Sequence, residues 1–241
     1  MNKKEVLTSE QKRRYSRNIM LEEIGTEGQK SLLSSKIAVV GSGALGSIAS
    51  LYLAGSGIGT IAIADFDTVD ISNLQRQVAF SEEDTGLKKV LATANRMRAL
   101  NSEITVIPVD AFLTPKNIEE FVSQYDVVIE GSDNPDTKYL VSQSCEKLHI
   151  PYCIAGVSQF YGQIMSWRPG CLGYKDIFPQ PAQEGDYLPC SLGGVCGPFT
   201  GVIGSLQAVE AIKILLEIGE PLYNRMIVVD SLKMSFREVK F

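Results

Sequence analysis

A glycine-rich turn followed by a carboxylate is the stretch whose residue types and spacing most clearly predict chemistry. The β-branched run Ile37–Val40 leads directly into G-x-G-x-x-G, with its glycines at Gly41, Gly43 and Gly46. Gly41 permits a tight turn, Gly43 lets backbone N–H groups approach a phosphate, and Gly46 lets the next helix pack close to the strand. Asp65 ends the following strand pattern, about 20 residues on, where a carboxylate holds ribose hydroxyls. The sequence therefore predicts a Rossmann-type nucleotide site.

Two cations and a second carboxylate follow neighbouring strand patterns. Arg76 lies in the polar loop after Asp65, and Lys89 begins the next helix pattern. Asp133 follows the strand pattern Val127–Glu130. Singly, each is an ordinary surface charge, but the carboxyl ends of parallel strands share one edge of a sheet, where ligands bind. A triphosphate needs such cations and usually a Mg²⁺ held by carboxylate, so the set is a candidate site for ATP-type chemistry.

A nicotinamide dinucleotide is the other ligand typical of such a turn, and it would make the chain an NAD-dependent oxidoreductase. Hydride transfer needs a proton donor or acceptor beside the reacting carbon. The sole histidine, His149, lies between a helix pattern and a strand pattern, which favours a structural role. Tyrosine and lysine side chains remain available, so the residue pattern alone leaves this alternative open.

The cysteines do not form a recognisable framework. Their number is odd and no C-x-x-C pair occurs, which argues against structural disulfides and a four-cysteine zinc site. Cys145 lies in a helix pattern and Cys153 in a strand pattern, so both are predicted to be buried apolar side chains. The other three, Cys171, Cys190 and Cys196, lie in a segment rich in proline and glycine.

The segments around these residues alternate between strand and helix patterns. Up to Glu130 the order is βαβαβαβ, which predicts a doubly wound, mainly parallel sheet. Residues 9–35 form a helical arm with exposed arginines before this unit. Residues 168–199 show no period and are predicted to form a large loop over the edge of the sheet. A helix at about 200–217 and two final strands complete one domain over 1–241, an α/β fold with antiparallel strands towards the C-terminus.

The overall composition excludes several classes of protein. Of 241 residues, 44% are hydrophobic and 21% are charged, as in soluble globular proteins. A net charge of −5 argues against broad electrostatic binding to nucleic acid. No apolar run is expected to approach the roughly 18 residues that span a membrane, and the first residues lack a signal-peptide pattern. We expect a cytoplasmic protein without nucleic-acid or membrane partners.

A set of short motifs extends over nearly the whole chain, from about Arg14 to Glu238. The motifs are Arg14-Tyr-Ser-Arg17-Asn-Ile, Gly41-Ser-Gly-Ala-Leu-Gly46, Asp65-Phe-Asp-Thr-Val, Ser72-Asn73-Leu-Gln-Arg76-Gln77, Lys89, Ser132-Asp133-Asn134 and Gly201-Val-Ile-Gly-Ser-Leu-Gln-Ala-Val-Glu-Ala-Ile-Lys213. This combination resembles the MoeB/ThiF/HesA adenylyltransferases, bacterial relatives of the ubiquitin-activating enzymes. The combined set is far more specific than the glycine motif alone.

The resemblance implies an activity and a partner. ATP would adenylate the C-terminal Gly-Gly carboxylate of a ThiS- or MoaD-like sulfur-carrier protein, which is ubiquitin-like, and pyrophosphate would be released. The pathway downstream would be thiamine or molybdopterin biosynthesis. The match of Arg14-Tyr-Ser-Arg17 and the position of Cys190 slightly favour thiamine biosynthesis.

The resemblance also implies roles for individual residues. Asp65 and the three glycines would hold the nucleotide, and Asn73 would join them. Arg76 and Lys89 would bind the phosphates and Asp133 the Mg²⁺. Arg17 matches an arginine that the partner subunit of a homodimer supplies.

Two expectations concern the crossover loop, the family's name for the segment matched by residues 168–199. Cys190 aligns with a cysteine that in some members bonds covalently to the carrier or carries persulfide sulfur, although an idle loop thiol is the alternative. Many members bind zinc through two C-x-x-C pairs. Here the first pair is reduced to Cys171-Leu-Gly-Tyr174 and no second pair precedes Phe241, so zinc is not expected. A non-catalytic homologue that only binds nucleotide or carrier remains a further alternative.

Overall fold

The computed structural model describes residues 6–179 and 193–241, and these residues place eight strands in one sheet. The strands are β1 (Lys36–Val40), β2 (Thr60–Asp65), β3 (Thr105–Asp110), β4 (Val127–Glu130), β5 (Tyr152–Ser158), β6 (Tyr161–Trp167), β7 (Arg225–Asp230) and β8 (Ser235–Lys240). Their order in the sheet is β3-β2-β1-β4-β5-β6-β7-β8. The first five strands are parallel, and β6, β7 and β8 continue the sheet antiparallel. The predicted mainly parallel α/β sheet with C-terminal antiparallel strands is confirmed.

Helices cover both faces of this sheet. In the described ranges they are α1 (Ser9–Arg14), α2 (Ser16–Ile19), α3 (Gly25–Ser34), α4 (Gly46–Ser56), α5 (Lys89–Leu100), α6 (Ile118–Val122), α7 (Pro135–Leu148), α8 (Tyr174–Ile177) and α9 (Gly197–Leu216). The arm at 9–35 therefore has three helices. Helix α9 begins earlier than the expected start near residue 200, because Pro198 occupies its first turn, where a missing N–H is not needed.

The core has two layers because successive residues of each strand point to opposite faces. In β1, Ile37 and Val39 belong to the apolar cluster under α4, α5 and α9. Ala38 and Val40 belong to the cluster on the other face, which includes residues of α6 and α7. A parallel strand covered on both faces reads as a continuous apolar run, which is why the strand patterns were recognisable in the sequence.

Helix α9 corrects one sequence expectation. It is 20 residues long and, by length and composition, apolar enough to cross a membrane, so the expectation that no apolar run approached that length was wrong. Half of it is buried inside the structure, where it packs against α4, β4, β5 and β6. A helix enclosed on several sides needs apolar residues around most of its circumference, which accounts for this composition.

The glycine turn depends on backbone contacts that leave no room for a side chain. Gly41 has φ +91°, in the left-handed region that favours glycine. A Cβ on Gly46, the first residue of α4, would lie 1.8 Å from the Gly41 carbonyl oxygen. A Cβ on Gly131, just after β4, would lie 3.0 Å from the Gly46 nitrogen. The turns after β1 and β4 are therefore in direct contact.

Replacing Gly46 with alanine is expected to lower the free energy of unfolding by about 1 to 3 kcal/mol, because the methyl group overlaps the Gly41 carbonyl. Urea unfolding of Gly46→Ala and the unsubstituted protein measures the difference. Gly201→Ala is the matched control, since a Cβ there meets nothing within 4 Å inside α9. The control should be neutral or up to about 1 kcal/mol more stable. Equal stability of Gly46→Ala and the parent protein would contradict the close approach.

Candidate active site

A cleft of about 300 Å³ lies at the edge of the sheet where the parallel strands end. Its walls are the glycine turn after β1, the loops after β2 and β3, and the turn after β4, with β5 and the start of α9 at one side. Of the residues predicted for the site, the cleft is lined by Gly41, Gly43, Asp65, Asn73, Arg76, Lys89 and Asp133. The sheet topology therefore brings together residues that lie more than 90 positions apart in the sequence.

The Asp65 carboxylate joins two of these walls. Its Oδ2 atom accepts a hydrogen bond from the Ser42 backbone N–H at 2.6 Å, and its Oδ1 atom accepts one from the Asp67 N–H at 2.8 Å. Ser42 is itself anchored, because its Oγ lies 2.7 Å from Oγ1 of Thr93 in α5. Asp65 is thus held in a fixed position beside the glycine turn.

Lys89 presents a nearly buried cation to the cleft. Lys89 is only 6% exposed, and its Nζ lies 2.8 Å from the half-exposed carboxylate of Asp67. The Lys89 backbone N–H also donates to the Asp67 carbonyl at 3.0 Å. Asp67 had no role in the sequence prediction, although it stands two positions after Asp65. It holds the lysine charge at the wall of the cleft.

Arg76 lies on a loop that the start of α9 supports. Its Nη1 donates to the Ser72 carbonyl at 3.0 Å, and a Cβ on Gly197 would lie 2.3 Å from the Gln75 carbonyl oxygen. Asp70 caps the short turn before it, and hydrogen bonds from Ser72 hold the pKa of Asp70 below its usual range. This loop also carries Asn73, whose side-chain oxygen accepts from the Asp70 N–H at 3.2 Å.

Asp133 stands in the turn between β4 and α7, with an exposed side chain. Asn134 ends that turn as the N-cap of α7, where its side-chain oxygen accepts from the Asp136 N–H at 2.9 Å. Beneath the turn lies a buried ion pair between Lys138 and Glu130, which the sequence analysis did not predict. Burial raises the pKa of Glu130, and the Lys138 charge opposes that effect.

An aromatic pair forms an apolar part of the cleft. Phe66, after β2, and Phe112, after β3, meet edge to face with 4.9 Å between ring centroids, and both rings are about half exposed. An exposed apolar surface beside a carboxylate suits a nucleobase joined to a ribose. No local sequence pattern pointed to this pair, because its members lie in different loops.

The cleft fits a nucleoside triphosphate and a hard divalent cation. Space is open at Gly43, where a Cβ would meet only the Gln77 side chain, at 3.8 Å, so a phosphate can approach the backbone there. Two cationic side chains, Lys89 and Arg76, face the same space. The exposed Asp133 carboxylate is the type of oxygen ligand that Mg²⁺ prefers.

Arg17 does not line this cleft. It is exposed on α2, and its Nη1 contacts the Met20 sulfur at 3.5 Å. The neighbouring Asn18 donates to the carbonyl of Ser56, the last residue of α4. Since the glycine turn lies at the first residue of α4, a helix of 11 residues, about 16 Å of helix separates the arm from the turn. Arg17 is therefore not placed at the cleft of its own molecule.

The cysteines and the histidine lie as follows. Cys145 and Cys153 are fully buried, as predicted, and burial raises the pKa of Cys145 to about 12. Cys171 and Cys196 are partly buried. Cys190 lies outside the described residues, as does much of the predicted crossover loop. His149 ends α7 with φ 59°, in keeping with its predicted structural role.

Comparison with known proteins identifies the family. The model of the ThiF family matches residues 15–241. The chain belongs to the ThiF family. Its relatives, described next, include proteins named adenylyltransferase, and this makes the chain an E1-like adenylyltransferase rather than an oxidoreductase. Such an enzyme uses ATP.

Several curated relatives are similar over almost the whole chain. A SAMP-activating enzyme E1 of Haloferax volcanii is 40% identical over 95% of this chain and 84% of that protein. A probable adenylyltransferase/sulfurtransferase MoeZ of Mycobacterium tuberculosis is 39% identical over 97% of this chain. An adenylyltransferase and sulfurtransferase MOCS3 of Anopheles gambiae is 40% identical over 97% of this chain. The chain spans only 61% of that MoeZ and 53% of that MOCS3.

Solved structures share the fold. E. coli MccB in a complex with MccA-N7isoASN superposes with a TM-score of 0.83 at 26% identity, over 94% of this chain and 72% of that one. PaaA superposes with a TM-score of 0.82 at 23% identity, over 98% of this chain and 75% of the PaaA chain. At this identity the similarity is evidence for the fold only.

Replacing Lys89 with methionine is expected to weaken ATP binding by about 10- to 100-fold, because this factor corresponds to the free energy that a hydrogen bond to a charged group contributes. Calorimetric titration with ATP measures the change. The matched control is Lys88→Met, because the Lys88 ammonium binds Asp110 and the Phe66 carbonyl and is not part of the cleft wall. An ATP affinity of Lys89→Met equal to that of the unsubstituted protein would contradict the placement of the phosphates at Lys89.

Proposed function

We propose that this chain uses ATP and Mg²⁺ to adenylate the C-terminal Gly-Gly carboxylate of a ubiquitin-like sulfur-carrier protein and releases pyrophosphate. The observation that carries the proposal is the single cleft that gathers Asp65, Arg76, Lys89 and Asp133 at the carboxyl ends of the strands. The names of the MoeZ, MOCS3 and SAMP-activating relatives support the substrate class.

The reaction needs charge neutralisation and no general base. The attacking carboxylate is already ionised at neutral pH. One of its oxygens forms a bond to the α-phosphorus of ATP while the bond from that phosphorus to the bridging oxygen breaks, and pyrophosphate leaves. The obstacle is repulsion between the carboxylate and the phosphates, which cations in the cleft reduce. This agrees with a cleft that is built from lysine, arginine and aspartate.

Each residue then has a distinct task. Asp65, held by two backbone N–H groups, accepts hydrogen bonds from the ribose hydroxyls, and Asn73 contributes to the same nucleotide site. Lys89 and Arg76 bind the phosphates, with Asp67 holding Lys89 until the nucleotide arrives. Asp133 ligates Mg²⁺, which when bound supplies further positive charge to the phosphate oxygens. The glycine turn lets the backbone N–H groups approach the same anions.

A homodimer completes the cleft in this proposal. Arg17 is separated from its own cleft by the length of α4, so the arginine in each cleft comes from the partner subunit. One more cation at the α-phosphate lowers the barrier by about 2 to 4 kcal/mol.

The downstream pathway and the sulfur chemistry extend the proposal. The carrier is ThiS-like or MoaD-like, which corresponds to thiamine or molybdopterin biosynthesis, with the motif around Arg17 leaning towards thiamine. Cys190 is the residue proposed to bond to the carrier or to carry sulfur. We also predict that the protein does not need zinc.

Carrier-dependent exchange of labelled pyrophosphate into ATP tests the function. We expect exchange with a ThiS-like or a MoaD-like protein, and its loss by about 100-fold or more in Asp133→Ala, because a missing electrostatic contact in the transition state costs this much. Asp136→Ala, three residues on in the same exposed segment, is the matched control and should retain exchange.

The outcomes separate the alternatives. Exchange with only one carrier selects the pathway. Tight ATP binding without exchange with either carrier would contradict the proposed reaction and favour a non-catalytic homologue.

Mixed dimers test the supply of Arg17 from the partner subunit. Arg17→Ala and Lys89→Met dimers should each be inactive in exchange, because every cleft lacks one cation. A purified dimer with one chain of each kind has one complete cleft, so its activity should return to about half. Arg13→Ala, a neighbouring exposed arginine, should remain active as the control.

Inactive mixed dimers would show that Arg17 does not act across the interface. Full activity of the Arg17→Ala dimer would remove Arg17 from the site altogether.

A further inference from the structure

Lys138 is a lysine below the cleft that uses all three of its protons inside the protein. Its Nζ donates to Glu130 Oε2, to the Ser132 carbonyl at 2.8 Å and to the Ala155 carbonyl at 2.7 Å. An ammonium group has three donors and no acceptor. Lys138 therefore has no donor left for a phosphate, and its role concerns the protein around it.

Both backbone groups of Ser132 are held by this ion pair. Glu130 is 0% exposed, and its Oε1 accepts from the Ser132 N–H at 2.8 Å and from the Ser132 hydroxyl. Lys138 binds the Ser132 carbonyl, as described above. The peptide groups on both sides of Ser132 are thus fixed, and the second of them leads directly into Asp133.

The same lysine connects this turn to β5. The pairing of β4 with β5 ends at Glu130 and Ile154, because β4 goes no further. Ala155 is the next residue of β5, and Lys138 binds its carbonyl where the ladder has ended. Val157, two residues further along β5, lines the cleft. Lys138 therefore connects the turn after β4 to β5, two walls of the cleft, beyond the point where backbone pairing between β4 and β5 has ended.

Glu130 is held from a third element. Gln207 in α9 donates from Nε2 to the Glu130 backbone carbonyl at 2.7 Å. The backbone and the side chain of Glu130 are both bonded, so the carboxylate that receives Lys138 is a fixed point in the core.

We propose that Lys138 is a positioning residue for the cleft, which sets the location of the Asp133 carboxylate relative to β5. It binds the Ser132 carbonyl directly and holds the Glu130 carboxylate that accepts from the Ser132 N–H. The inference rests on the proposed function, in which Asp133 ligates Mg²⁺. Outer contacts of this kind orient ligating carboxylates, and their loss typically weakens metal affinity.

The test compares Lys138→Met with Lys147→Met, an exposed lysine of the same helix whose ammonium pairs with Glu119. ATP affinity is measured by calorimetry with Mg²⁺ and with EDTA. In Lys138→Met the affinity in EDTA should be unchanged, and the gain that Mg²⁺ produces should fall by roughly 10- to 100-fold. Lys147→Met should match the parent protein in both conditions.

A second variant removes the effect of a lone buried charge on folding. Lys138→Met leaves Glu130 without its partner, which destabilises a buried carboxylate. The double variant Glu130→Leu with Lys138→Met removes both charges and should fold, with the same loss of the Mg²⁺-dependent gain. If neither Lys138→Met nor the double variant folds, Lys138→Arg is used instead, because it keeps a positive charge beside Glu130. Its wider, planar group cannot place single donors on all three acceptors, so the gain should fall again.

A folded variant of Lys138 with the full Mg²⁺-dependent gain would overturn the inference. Hydrogen–deuterium exchange of residues 131–134, measured without nucleotide, gives a readout independent of ATP. We expect faster exchange there in a folded Lys138→Met or Lys138→Arg variant, both of which keep Glu130 as the acceptor of the Ser132 N–H, than in the parent protein. Equal exchange would also overturn the inference. A parent protein that does not bind ATP would instead contradict the proposed function.

Discussion

The backbone contact between Gly41 and Gly46 is the constraint on which the rest of the cleft depends. It brings the first turn of α4 against the end of β1, and Gly131 brings the turn after β4 against the same point. Any side chain at Gly46 would push the first turn of α4 away from the end of β1. Because Asp65 binds Ser42 inside the glycine turn and Asp133 follows Gly131, the carboxylates on both sides of the cleft take their positions from this contact.

Charge in and below the cleft is organised as two lysine–carboxylate pairs with different surroundings. Asp67 is half exposed, so its bond to Lys89 can yield to a phosphate that brings more negative charge. Glu130 and Lys138 are buried and are held by several further hydrogen bonds, so this pair stays intact and serves as a support. Solvent exposure thus separates a binding cation from a structural one in residues of the same type.

The N-terminal arm lies away from the site, whereas the beginning of α9 contacts it. Hydrogen bonds from Asn18 and Gln29 to the Ser56 carbonyl attach the arm to the far end of α4. Helix α9 reaches the cleft at its beginning, where Gly197 packs against the loop that carries Arg76. The arm is therefore attached at the end of α4 away from the glycine turn, and Arg17 does not line the cleft of its own molecule.

The sequence by itself determined the α/β alternation, the glycine turn and the carboxylate of Asp65, because each depends on residues that are close along the chain and on a fixed period. It also placed Arg76, Lys89 and Asp133 at one edge, since parallel strands end together. Only the tertiary structure decided the partners of these groups: Asp67 for Lys89, Phe112 for Phe66, and Lys138 with Ala155 beside the turn of Asp133. Those contacts join different loops and strands, and their distances follow from how the sheet and helices pack, which no local pattern encodes.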